Sequence, residues 1–171
     1  MDRKFINIII IQILLILAQV LICNHIRLFN VAIPFIFIYS ILRLPMSMKT
    51  NWLLTWAFLA GLVVDIFSDT PGLNALSATV LAVVKRPMLY AYIPRDDRTK
   101  DIDPSISTMG FVDYSKFVLT MCLAYCFLVF SIEYFNFSDI KGVVIMSVSS
   151  ALLTFLLLLG IDSLVFTKRE R

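Results

Sequence analysis

Gly61-Leu-Val-Val-Asp65-Ile-Phe-Ser-Asp69-Thr70-Pro71-Gly72-Leu-Asn74-Ala75-Leu76 closes one apolar run and opens the next. An acid sits inside the apolar run at Asp65, and a second follows at Asp69. Pro71 has a fixed φ and no N–H to donate, so it suits the first position of a helix, with Asp69 or Thr70 as the cap. The stretch therefore predicts two apolar helices joined by a tight turn. It also adds polar chemistry that solubility in lipid does not require.

The rest of the chain says what kind of helices these are. Of 171 residues, 60% are hydrophobic and 16% charged, and the mean hydropathy is +0.89. A soluble domain is about 45–50% apolar. The charges cluster, and between them lie runs able to cross roughly 30 Å of hydrocarbon. This pattern predicts an all-α polytopic membrane protein. The start, Met-Asp-Arg3-Lys4, is positive. The run behind it is too long for a signal-peptide core and has no small-residue cleavage site, so it is expected to stay as the first span.

Six spans are expected, at about 5–23, 28–44, 52–68, 73–92, 114–132 and 140–166, in a single domain over 1–171. A polar loop is expected at 94–113. Gln12 and Gln19, seven residues apart, share a face that should meet other helices, because an amide in lipid wants a partner. The second run is short, with Pro34 in its early turns and Arg43 near its end, where a guanidinium can snorkel. Trp52 and Trp56 suit a membrane–water boundary. Ala57, Ala60 and Gly61 form a small-residue stripe, and the sixth run is rich in small residues in its first half. The fourth run stays apolar for only 12 residues before Lys85-Arg86-Pro87. It either crosses with both cations snorkelling or is re-entrant among its neighbours.

Charge decides between those two. With six crossings and an N-in, C-in orientation, the inner segments hold Arg3, Lys4, Arg43, Lys49, Lys85, Arg86, Arg95, Arg98, Lys100, Lys116, Lys168, Arg169 and Arg171. The outer links hold only Arg27 and Lys141. Such asymmetry in short loops is a positive-inside signal and favours six crossings with both termini in the cytoplasm. The same orientation puts Asp65 near the outer end of the third helix, at the unfavourable end of that helix's dipole. An Asp at mid-span costs roughly 2.5–3.5 kcal/mol, and less near the interface. Arg27 is the best candidate partner. Either Asp65 and its turn shape a surface or shallow cavity, or the acid reaches water. Asp162, near the inner end, reads as a snorkelling interface residue. His25, the only histidine, and Cys23, Cys122 and Cys126 form no ligand or redox pattern. No catalytic motif appears, and neither a cofactor, a metal nor a nucleic acid is expected.

The run from Gly61 through Asp65 to Gly72-Leu73-Asn74-Ala75-Leu76, with a small six-span chain, Arg43 near the end of a short second span and a basic C-terminus, resembles the rod shape-determining MreD family. The resemblance implies a non-enzymatic subunit of the bacterial cell-elongation machinery. It would work beside MreC, MreB, RodA and a class B penicillin-binding protein in peptidoglycan synthesis. It also implies a fold similar to the substrate-binding subunits of energy-coupling-factor transporters. Gly61, Asp65, Asp69, Pro71, Gly72, Asn74, Arg27 and Asp162 are the candidate interaction or structural residues. A vitamin-capturing transporter subunit is the main alternative. It is disfavoured because Ala18 is the lone small residue of the first span. An intramembrane enzyme using Asp65 with His25 is a third reading. Pairing with a second copy stays open.

Overall fold

The computed structural model describes residues 3–23, 32–93, 104–134 and 140–167, with side chains from residue 10 to residue 163 within those ranges. The regular elements among the described residues are all helices, in the order α1 (Arg3–Leu21), α2 (Ile38–Leu42), α3 (Thr50–Ser68), α4 (Leu73–Tyr92), α5 (Ile106–Met109), α6 (Phe111–Glu133) and α7 (Ile140–Thr167). Among the described residues, three segments, Thr50–Ser68, Phe111–Glu133 and Ile140–Ser163, are long and apolar enough to cross a membrane. Large apolar side chains point outward along the long helices, among them Leu14, Leu17, Phe58, Ile66, Phe127, Val144 and Leu156. In a bilayer such a surface faces lipid, so the molecule is a membrane helical protein.

The expected second span is not a helix. Ala32–Phe37 forms no regular helix, and only Ile38–Leu42 is α-helical. Pro34 therefore lies outside any helix rather than in an early turn of one. The physical reason lies in the neighbours. Backbone groups that a helix would satisfy internally are met here by side chains. Gln19 donates to the Pro34 carbonyl at 2.9 Å and accepts from the Phe37 N–H at 3.4 Å. Ser150 and Thr154 on α7 accept the N–H groups of Ile33 and Phe35 at 3.0 and 3.1 Å. Gln12 donates to the Ser40 carbonyl at 2.9 Å. Irregular backbone is tolerated at membrane depth only where protein shields it in this way. Both glutamines are buried, on the shared face that their spacing indicates.

These contacts also fix direction. The segment pairs Pro34 with Gln19 and Ser40 with Gln12, so it runs antiparallel to α1. It pairs Ile33, Phe35 and Tyr39 with Ser150, Thr154 and Asp162, so it runs parallel to α7. Phe35 and Phe37 pack edge-on against Tyr125 of α6, with ring centroids 5.2 and 5.7 Å apart. The segment is thus the axis of the bundle, with Phe37, Ile38 and Ile41 fully buried.

Lys85 does not snorkel. α4 continues unbroken through Lys85, Arg86 and Pro87 to Tyr92. The Lys85 ammonium is fully buried and donates to the carbonyls of Ile41 and Leu44 at 3.0 and 2.6 Å. It closes the C-terminal end of α2, where a cation meets the negative pole of the dipole. Arg86 donates to Thr50 and to the carbonyls of Met46 and Met48. The two cations stitch the 41–50 turn to α4.

Replacing Gln19 by Leu should lower stability by about 2–4 kcal/mol, since it leaves two buried backbone groups unpaired. The loss is read as a lowered melting temperature of the purified protein in detergent. A simple lipid-facing helix would tolerate or gain from the same change.

Candidate functional site

The α3–α4 hairpin is built around Asp65. Its side chain is 4% exposed. One carboxylate oxygen accepts the Asn74 backbone N–H at 2.9 Å, the Asn74 side-chain amide at 2.9 Å and the Thr70 hydroxyl at 2.7 Å. The other accepts the Ala75 N–H at 2.8 Å. α4 opens on Gly72, which has no side chain to cap it. Asn74 and Ala75 are the second and third residues of that helix, the positions whose N–H groups a capping oxygen ordinarily takes. Asp65 supplies that oxygen from the preceding helix.

This arrangement answers the dipole problem. The acid lies near the wrong pole of its own helix and on the favourable pole of the next one. Its main chain takes part as well: the Asp65 carbonyl accepts the N–H of Asp69, whose φ of 55° is left-handed, and the N–H of Thr70. Two corrections follow. Asp69 is exposed and ends α3; it does not cap α4. Pro71 and Gly72 lie in the turn, and α4 begins only at Leu73. Arg27, the expected partner of Asp65, lies outside the described residues, as does His25. The charge is met by four donors instead.

Gly61 sets the distance between the two helices. A Cβ there would stand 2.5 Å from the Cα of Ala75 and 2.6 Å from the carbonyl oxygen of Asn74. Those are backbone atoms and cannot yield, so only glycine lets α4 come close enough for Asp65 to reach Asn74 and Ala75. Ala57 and Ala60 on α3 and Ala75, Ala78 and Ala82 on α4 are all buried. The small-residue stripe is therefore spent inside the bundle. So are Ser147, Ser150, Ala151 and Thr154 of α7. The hairpin is tied onward to α6 by the Tyr125 hydroxyl, which donates to the Asn74 side-chain oxygen at 2.7 Å.

A second polar cluster lies at the other end of α6. Asp162 is 1% exposed, and it does not snorkel. Its carboxylate pairs with the Arg43 guanidinium at 2.9 Å and accepts the Tyr39 hydroxyl at 2.5 Å; the Tyr114 hydroxyl lies against it. Arg43 also donates to the Tyr39 oxygen and to the Pro104 carbonyl, both at 2.9 Å. Sequence reasoning missed Tyr39, Tyr114, Tyr125 and Lys85. The signal available for the tyrosines was a phenol inside an apolar run, which needs a partner when buried. Tyr114 and Tyr125, eleven residues apart, separate the two clusters by about 16 Å along α6.

Among the described residues, no group of three His, Cys, Asp or Glu side chains could hold a metal ion. The three cysteines are free thiols and buried. Asp65 and Asn74 are buried and bonded to each other across the hairpin, so the arrangement joins helices and leaves an apolar exterior beside it, with Val63, Ile66, Phe67 and Leu76 exposed.

Asp65→Asn should cost about 2–4 kcal/mol, because an amide nitrogen then faces N–H donors and one acceptor is lost. Gly61→Ala should cost at least about 1–3 kcal/mol through overpacking. Tyr125→Phe should cost about 1 kcal/mol, the value of one neutral hydrogen bond. Thermal melts of the four proteins, wild type included, check the order. No family model, no curated protein and no solved structure matches this chain.

Proposed function

We propose that this chain is a non-enzymatic subunit of the bacterial cell-elongation machinery, related to the rod shape-determining MreD proteins. In this reading it crosses the inner membrane six times, with both termini in the cytoplasm. The second crossing is made by the axial segment ending at Leu44. It works beside MreC, MreB, RodA and a class B penicillin-binding protein, and so helps to hold cell shape.

The observation that carries the reading is the Gly61–Asp65–Asn74–Ala75 junction. The motif on which the resemblance rests is one structural unit: a glycine that admits the next helix, and an acid that caps it. A rigid hairpin sealed on its polar side suits a protein whose work is to present a shape. The small-residue faces of α3 and α7 are buried within the chain, so partners must meet the outer faces, with Phe58, Leu59, Val63 and Ile66 on α3 and Val144, Val148 and Leu152 on α7. The vitamin-transporter alternative asks for an outward-facing cavity within the bundle. The bundle axis here is taken by Phe35, Phe37 and Tyr39.

Photoreactive residues placed at Phe58, Ile66 and Val144 in living cells test this. Trapped MreC or the synthase pair, together with rounded cells when the chain is removed, is the expected result. Adducts to lipid alone, with cell shape unchanged by the deletion, would overturn it.

A further inference from the structure

The end of the bundle that holds Asp162 is covered by a short, separately hinged piece of chain. Pro104 and Ser105 are buried there, and Ile106 and Met109 pack on the core. The piece is internally closed. The N–H groups of Thr108 and Met109 donate to the Ser105 carbonyl, that of Gly110 donates to the Ile106 carbonyl, and the Ser105 hydroxyl bonds those of Ser107 and Thr108. It meets α6 at Gly110, whose φ of +80° is open to glycine and strained for other residues. A Cβ at Gly110 would meet nothing within 4 Å, so the glycine is there for its backbone conformation and not for space. A charged hydrogen bond ties the piece down across the bundle, from Arg43 to the Pro104 carbonyl. The same guanidinium holds Asp162.

We propose that residues 104–109 form a lid over the Asp162–Arg43–Tyr39–Tyr114 cluster, hinged at Gly110 and latched by Arg43. Closed, it keeps water from the Asp162 carboxylate, which is 1% exposed with the lid in place. Opening needs rotation at Gly110, release of the Arg43 hydrogen bond and exposure of Ile106 and Met109, with the internal bonds of the lid kept. Arg43 can turn to water while still pairing with Asp162, since separate nitrogens serve the two contacts. Because the lid directly follows the charged 94–103 stretch of sequence, anything that pulls on that stretch acts on the latch first.

The test is the rate at which a hydrophilic maleimide labels single cysteines in the full chain held in lipid nanodiscs. Ser105→Cys reports the covered side of the lid and Ser107→Cys its exposed side. With Arg43 in place, Ser105→Cys should label much more slowly than Ser107→Cys. Arg43→Lys keeps a charge for Asp162 but cannot span to Pro104 as well. It should speed labelling at Ser105→Cys about tenfold, the worth of one charge-assisted hydrogen bond, and leave Ser107→Cys unchanged. Equal rates at the two positions with Arg43 present would overturn the lid. An unchanged rate at Ser105→Cys in Arg43→Lys would overturn the latch. Labelling of the buried Cys122 in an Arg43→Lys chain that keeps its native cysteines reports a lost fold. In that case Asp162→Asn replaces Arg43→Lys, since it removes the charge that aims the guanidinium and keeps an oxygen acceptor, and the same two outcomes decide.

Discussion

A carboxylate resting on the bare amino end of a neighbouring helix is the interaction this structure depends on. Helices leave their first N–H groups unpaired, and in hydrocarbon no water is available to take them. Asp65 resolves two costs at once: its own burial, and the orphan donors of Asn74 and Ala75. It can do so only because Gly61 lets α4 lie against α3. Remove either residue and the other loses its purpose. The same junction passes through Asn74 to Tyr125, and Tyr125 in turn packs on Phe35 and Phe37 of the axial segment.

The axial segment obeys the same constraint by a different route. Its backbone gives up helical hydrogen bonds between residues 32 and 37 and takes Gln19, Ser150 and Thr154 in exchange. Below it, Gln12, Lys85 and Asp162 hold residues 39 to 44. The polar side chains scattered through the apolar runs are therefore the fastenings of a non-helical core. Three fully or nearly buried charges, on Asp65, Lys85 and Asp162, each sit on backbone or hydroxyl groups as well as, or in place of, an opposite charge. Such groups are costly to bury and strongly destabilising to break once buried, so they specify one arrangement of helices that greasy surfaces alone would leave loose.

The membrane class and the long helices were legible in the sequence, because composition and run length speak directly to transfer into lipid. That Gly61, Asp65 and Asn74 belong to one helix–turn–helix stretch was legible as well, since an acid and a glycine inside an apolar run need a reason. Two things were not legible. One was the partner of Asp65: single-sequence reasoning looks for an opposite charge, and here backbone amides nine and ten residues onward serve instead. The other was the second run. Periodicity cannot tell a buried helix from a buried irregular strand of chain. The decisive groups, Gln19, Ser150 and Thr154, lie on runs far away in sequence. Lys85, read as reaching for the interface, had the same hidden partner in the end of α2.

Amide hydrogen exchange at Asn74 and Ala75, followed in the intact protein in lipid, tests the central interaction most directly. The account predicts that these two amides exchange as slowly as those of Ser77 to Leu81. It also predicts that Asp65→Ala releases them while leaving the later turns of α4 protected. Exchange of both at the rate of a frayed helix end in the unaltered protein would contradict it.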